Sequence, residues 1–124
     1  MSSGDHIEVR RIRVDGQHGA LEGEQDLAQP FEVDLDIYLD LSLAQLTDDL
    51  SSTVDYGEIT LAVIQIVTTT RFVLLEALAG AIADAILLDS RIERVEVSLR
   101  KMAPPIPADL HSVGVRIARA KSPR

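Results

Sequence analysis

The chain of 124 residues contains no cysteine, which excludes disulfides, thiolate nucleophiles and cysteine-ligated metal centres. It has no long apolar run either; its hydrophobic stretches fall far short of the ~18 residues that a membrane helix requires. The first twenty residues hold three arginines and no apolar segment, which is not the pattern of a signal peptide, so a cytoplasmic location is expected. Positive charge is scarce. Twelve basic side chains stand against 20 acidic ones, a net charge of -8, whereas a nucleic-acid binder needs a basic face to neutralise phosphates. The familiar cofactor and nucleophile loops are missing too: there is no GxGxxG, no Walker loop and no GxSxG. The three histidines, His6, His18 and His111, form no ligand-spaced pair, so neither a metal nor another cofactor is expected.

What is present suits one domain spanning 1–124, with about 1–5 and 120–124 expected to fray. Hydrophobic residues make up 46% of the chain, enough to close a core. A domain of this size buries only about two-thirds of its surface, so association between copies would help it. Charge is unevenly spread: residues 1–58 carry 14 acidic and 3 basic side chains, residues 59–124 carry 6 and 9. That asymmetry could favour contacts between copies or could mark two differently charged solvated faces.

Along the chain, Ile7 to Val14 is rich in β-branched residues but changes phase between Val9 and Ile12, which predicts a strand with a bulge. Asp15 to Pro30 is polar, with Gly16, Gly19 and Gly23, and is long enough to be a functional loop. Phe31 to Leu41 alternates strictly, with Phe31, Val33, Leu35, Ile37, Leu39 and Leu41 on one face and mostly acidic residues on the other. That predicts a strand with one buried and one wet face, hence an antiparallel sheet. Two helices follow. Asp55 and Glu58 have capping-box spacing before Ile59, Ala62, Val63, Ile66 and Val67; the second helix starts near Val73 or Leu74 and carries Leu75, Leu78, Ala79, Ile82, Ala83 and Ile86. Val95, Val97 and Leu99 mark a third strand, Ala103 to Pro107 a rigid turn, and Val113, Val115 and Ile117 a fourth strand. The expected architecture is α+β, a four-stranded antiparallel sheet with both helices on one face and two open edges.

Lys101 continues the apolar register of Val95, Val97 and Leu99, so it should leave the strand on the buried side. Burial would lower a lysine's pKa and fit it for proton transfer near neutrality. On phase alone the better reading is that the strand ends at Arg100 and releases Lys101 to solvent. Glu76, in the first turn of the second helix, could be a dipole-stabilising carboxylate or an anchor gripping a guanidine-like donor pair beside free backbone amides. Tyr56 could stack on a ligand or simply pack. Glu24 and His18 lie in the glycine-containing loop, where solvated polar residues are the ordinary case.

Taken in order, HGALEGE (His18 to Glu24), AQPFEVDL (Ala28 to Leu35), DDLSSTVDYGEI (Asp48 to Ile59), LLEALA (Leu74 to Ala79) and KMAPPIP (Lys101 to Pro107) resemble the dihydroneopterin aldolase family of folate biosynthesis. The resemblance implies the tunnelling fold, assembled as a ring of four sheets and usually as two stacked rings, an octamer, with pterin sites between subunits. It implies that Glu76 anchors the pterin's amino and ring N–H groups and that Leu75 adds backbone contacts. Tyr56 would come from the adjacent subunit, with Thr53 and Val54 on the same wall. Lys101 would be the catalytic lysine and Glu24 the loop carboxylate near the reacting side chain. Met102 stands where the family usually has proline, and Ala28 where it has glycine. The implied reaction is cleavage of dihydroneopterin to hydroxymethyl-dihydropterin and glycolaldehyde, with epimerisation as a side activity. Two other readings are an epimerase acting on the triphosphate form and a non-catalytic pterin-binding ring protein.

Overall fold

The computed structural model describes residues 4–121. Four strands, β1 (His6–Gly16), β2 (Gln29–Tyr38), β3 (Arg94–Lys101) and β4 (Val113–Ala120), form one antiparallel sheet in the order β1-β2-β3-β4. Between β2 and β3 the chain makes a short helix α1 (Ser42–Thr47), then α2 (Tyr56–Thr69) and α3 (Leu75–Ile86). Of the two long helices, α2 packs on β1 and α3 on β3 and β4, so both cover one face of the sheet.

The register explains the core. Val33 pairs with Leu99, Leu35 with Val97 and Ile37 with Val95, all fully buried beneath Val63 and Val67 of α2 and Leu78, Ala79, Ile82 and Ala83 of α3. Burying each of the larger side chains stabilises the fold by about 1.5–3 kcal/mol relative to exposure. At the end of the same row Phe31 pairs with Lys101. Lys101 is therefore the last residue of β3 and lies on the helix-covered side, 9% exposed, and the solvent-facing alternative falls away.

The phase change in β1 is a bulge between Val9 and Ile12, where Arg11 takes a left-handed φ of 57° and its N–H donates to the Asp34 carboxylate at 2.7 Å. It lets Val9 face Leu35 and Ile12 face Val33, both on the core side. Other expectations change. The second face of β2 is not open water: Glu32 and Asp36 are each 8% exposed, closed over by Arg100 at 3.2 Å and Arg10 at 2.6 Å. Like-charged Asp36 and Glu96 sit opposite each other, and Arg116 bridges them at 3.8 and 2.5 Å. The helix α1 was not expected; it has no buried residue and hence no apolar stripe to betray it. The loop is shorter than its sequence suggested, because β1 runs to Gly16 and β2 begins at Gln29, and Glu24–Asp26 form a 3-10 turn within it. At the chain ends, residues 1–3 and 122–124 of the expected frayed segments lie outside the described residues. Within them, Asp5 C=O accepts from Leu39 N–H and the Lys121 ammonium donates to Asp89 C=O.

Candidate active site

A cleft of about 430 Å³ opens where the end of β3 meets the start of α3. Leu21, Val73, Leu74, Pro104 and Ile106 give it apolar walls, and Glu24, Lys101, Leu75 and Glu76 supply its polar groups. A flat heteroaromatic ring with one hydrogen-bonding edge suits such a lining.

Lys101 reaches the cleft because β3 ends there. Its ammonium donates to Glu24 Oε2 at 2.8 Å, and both side chains are 11% exposed. Glu24 is held from three directions: Oε2 also accepts from Gln29 Nε2 at 3.1 Å, and Oε1 accepts from the Leu21 N–H at 3.1 Å. The turn that presents it needs Gly23, whose φ is 84°. It also needs Gly19, where a Cβ would lie 2.3 Å from the Glu24 carboxylate carbon. Burial by itself would raise the Glu24 carboxyl, but the hydrogen bonds from Lys101, Gln29 and Leu21 together outweigh it and hold the group below its ordinary range. The pair is thus a charged unit at the cleft wall.

Across from it, α3 begins at Leu75 after Leu74, with no side chain capping its first N–H groups. Glu76 is exposed in that first turn, where the opening amides of a helix have no intrahelical partner. Four of the expected site residues, Glu24, Leu75, Glu76 and Lys101, therefore line one cleft.

Thr53, Val54 and Tyr56 do not. Tyr56 opens α2, whose other end carries Val67 against His18 beside the cleft; fourteen helical residues separate the two ends by about 20 Å. The sheet gives the same distance independently. The Thr53 carbonyl accepts from Arg91, just before β3 begins, whereas Lys101 ends that strand, eight extended residues and about 23 Å away. Tyr56 is 63% exposed, Val54 is buried, and the Thr53 hydroxyl oxygen is buried with no partner among the described residues.

His18 contradicts the solvated reading given to its loop. It is 1% exposed, and burial above all pushes its imidazole below the usual histidine range. No sequence spacing signals this; Gly16 is packed so closely against His18 that a Cβ there would lie 2.9 Å from the ring. Gln29, bridging Glu24 Oε2 and the His18 carbonyl, was also missed.

One possible cation cluster forms that no sequence spacing foretold. Ligand atoms of His6, Glu8 and Asp36 lie within 4.8 Å of one another, but Arg10 stands 3.3 Å from Glu8 and 2.6 Å from Asp36 and already supplies the positive charge. A cavity of about 290 Å³ on the outer sheet face is walled by Arg10, Arg100 and Arg116 with their acidic partners; it has little apolar surface to hold a ring.

A sequence model of the family described as "FolB: Dihydroneopterin aldolase" matches residues 7–118. A protein of Methylorubrum extorquens named dihydroneopterin aldolase is 40% identical over 119 residues, covering 95% of this chain and 92% of the relative. Among solved structures, E. coli dihydroneopterin aldolase in complex with neopterin superposes with a TM-score of 0.86 at 28% identity, over 94% of this chain and 99% of that one. A dihydroneopterin aldolase from Burkholderia thailendensis bound to guanine gives a TM-score of 0.79 at 29% identity, over 95% and 92%.

Proposed function

The chain belongs to the dihydroneopterin aldolase family, and from that premise we propose how its own residues carry out the cleavage of dihydroneopterin to hydroxymethyl-dihydropterin and glycolaldehyde. Breaking the side-chain carbon–carbon bond requires a sink for the electron pair. The substrate's conjugated ring imine is that sink, so the protein has three tasks: to hold the ring, to take the side-chain hydroxyl proton, and to give a proton to the ring-side carbon.

Glu76 holds the ring. Its carboxylate accepts from the amino group and the adjacent ring N–H, a charge-assisted bidentate contact, while the free amides of the α3 start receive ring acceptors. Neopterin and guanine, bound by the two relatives above, both carry this amino-and-N–H edge. Lys101 and Glu24 move the protons. The Glu24 carboxylate takes the hydroxyl proton as the carbon–carbon bond breaks and the hydroxyl carbon becomes the glycolaldehyde carbonyl. The electron pair flows into the ring imine. A proton delivered through Lys101 then returns to the ring-side carbon, so the enzyme ends in its starting state. Return of glycolaldehyde to the opposite face of the same intermediate would give the epimer. The observation that carries this reading is the 2.8 Å Lys101–Glu24 contact on the wall of the cleft that Glu76 also lines. A triphosphate substrate is disfavoured, because Lys101 is the one cation among the cleft's lining residues and Glu24 already pairs with it.

The site is completed by a second copy. Tyr56, with Thr53 and Val54, stands about 20 Å from the cleft of its own chain. The exposed Tyr56 ring is what a neighbour's cleft would cover. Such neighbours make a ring of four and, by stacking, an octamer. We place the enzyme in the cytoplasm; no helix of the described residues is long and apolar enough to cross a membrane. Incubation of purified protein with dihydroneopterin and a chelator, with separation of pterins and detection of glycolaldehyde, tests the reaction. Absence of glycolaldehyde would overturn it.

A further inference from the structure

His18 is buried where the Glu24 loop, the end of α2 and the α2–α3 connector meet. Its Nε2 lies 2.8 Å from the Val67 carbonyl and its Nδ1 lies 3.0 Å from the Phe72 N–H. A carbonyl can only accept and an amide N–H can only donate, so the ring is neutral with its proton on Nε2. The imidazole stands edge-on to Phe31, with centroids 5.4 Å apart, and parallel to Phe72 at 6.0 Å.

The backbone of the same segment grips the same connector. Gly19 N–H donates to the Phe72 carbonyl at 3.0 Å, so Phe72 is held on both its amide and its carbonyl side. On the other flank, the His18 carbonyl accepts from Gln29 Nε2 at 3.0 Å, and that amide also holds Glu24. Phe72 lies three residues before Leu75, where α3 starts. One side chain therefore joins the loop that presents Glu24 to the connector that decides where Glu76 sits.

We propose that His18 is a positioning residue, a neutral two-way hydrogen-bond bridge that fixes the spacing between the pterin anchor Glu76 and the Lys101–Glu24 pair. The proposal rests on the site assignment made above. The bridge has a built-in weakness. A protonated ring carries N–H on both nitrogens and would point one at the Phe72 N–H, so protonation must break that bond. The charged groups facing the ring are Lys101 from β3 and Arg71 from the connector, both cationic and both opposed to a positive charge on the ring; Glu24 is tied through Gln29 to the His18 carbonyl, not to the ring. The bridge should thus persist through neutral pH and open in acid.

The test uses His18→Asn, whose Oδ1 can still accept from the Phe72 N–H, and His18→Leu, which fills the space without hydrogen bonds. Single-turnover cleavage should fall about 10- to 100-fold in His18→Leu and less in His18→Asn, as expected for an ångström-scale misplacement. Neopterin affinity should change less than about fivefold, since Glu76 remains. In wild type, kcat/KM should lose activity in acid with the midpoint at which NMR shows the His18 ring titrating, and in His18→Asn that acid limb should vanish. Equal losses in both variants with the limb unmoved would reduce His18 to packing and overturn the proposal. If His18→Leu does not fold, the wild-type NMR decides: an Nδ1–H tautomer, or ring titration without change in kcat/KM, overturns it. Lys101→Ala runs alongside. Full activity there would sink the site assignment itself, whereas an inactive Lys101→Ala with wild-type turnover in the His18 variants would sink only this inference.

Discussion

Replacing Lys101 by Met removes the ammonium and keeps an apolar stem of similar length, which separates the two roles that the Lys101–Glu24 pair could have. The Glu24 carboxylate would be left 11% exposed, with only the Leu21 N–H and Gln29 as donors. Stripping the partner from a fully buried ion costs about 3–5 kcal/mol; two remaining donors bring this to about 2–3 kcal/mol. For a chain of 124 residues that lowers Tm by about 8–12 °C. Adding Glu24→Gln removes the stranded charge, so the double variant Lys101→Met/Glu24→Gln should regain most of that stability. Turnover should not follow. Loss of a positioned acid–base group costs about two to four orders of magnitude, and neutralising its partner cannot restore it. Differential scanning fluorimetry reads the first quantity, and rapid-quench detection of glycolaldehyde under single-turnover conditions reads the second. Recovery of turnover together with Tm in the double variant would show that the pair is a structural clamp. A Lys101→Met enzyme within about tenfold of wild type at saturating substrate, weakened only in KM, would make Lys101 an anchor and refute the proton-transfer role.

Glu76→Ala should weaken pterin binding by about 2–4 kcal/mol, the worth of a charge-assisted bidentate contact, and calorimetry showing a Kd within about threefold of wild type would leave Glu76 a helix-start charge only. Mixing Tyr56→Ala with Lys101→Ala subunits should restore activity by assembling some intact sites; a fully active monomer by light scattering would end the shared-site model. Stability should fall on acidification in two stages. Burial holds the native His18 below the ordinary 6.5, so below pH 6.5 the unfolded chain binds a proton that the native one refuses. The depressed carboxyls act lower down: Glu96, held to about 2 chiefly by Arg116, gives stability that is present above its ordinary 4.5 and disappears as pH falls toward 2. A Tm that rises from pH 7 to pH 5 would contradict the first sign, and one that rises as pH falls from 4.5 toward 2 would contradict the second. Borohydride should trap no adduct between Lys101 and substrate, because the lysine moves protons and forms no imine; mass spectrometry showing such an adduct would overturn the mechanism.

The strands were legible because period two survives tertiary context when one face is covered. Val95, Val97 and Leu99 alternate with polar neighbours, and Val9 and Ile12 keep facing the core only through a bulge, which leaves a visible fault in the phase. Helix α1 left no such trace, since no residue of Ser42–Thr47 is buried and periodicity is a record of burial. The acidic side of β2 was misread for a related reason. Alternation shows that Glu32 and Asp36 avoid the core, but not that arginines from β1 and β3 close over them. Pairing between strands is a non-local fact.

The site divides along the same line. Strand phase could aim Lys101, and helix spacing could put Glu76 in a first turn, because both are local. Nothing local distinguishes His18 or Glu24 from solvated loop residues. The burial of His18 depends on Val67 and Phe72, about fifty residues away, and that of Glu24 on Lys101 and on Gly19 lacking a Cβ. Tyr56 is further removed still. Its helix carries it about 20 Å from the cleft, and only the family resemblance ties it to a pterin site. On the shared-site proposal the exposed Tyr56 ring has a physical reason: it is half of a surface whose other half is the Glu76–Lys101 cleft of another copy. A chain that splits its site this way ties catalysis to assembly, so a substitution that merely loosens the ring should cost activity without touching Lys101, Glu24 or Glu76.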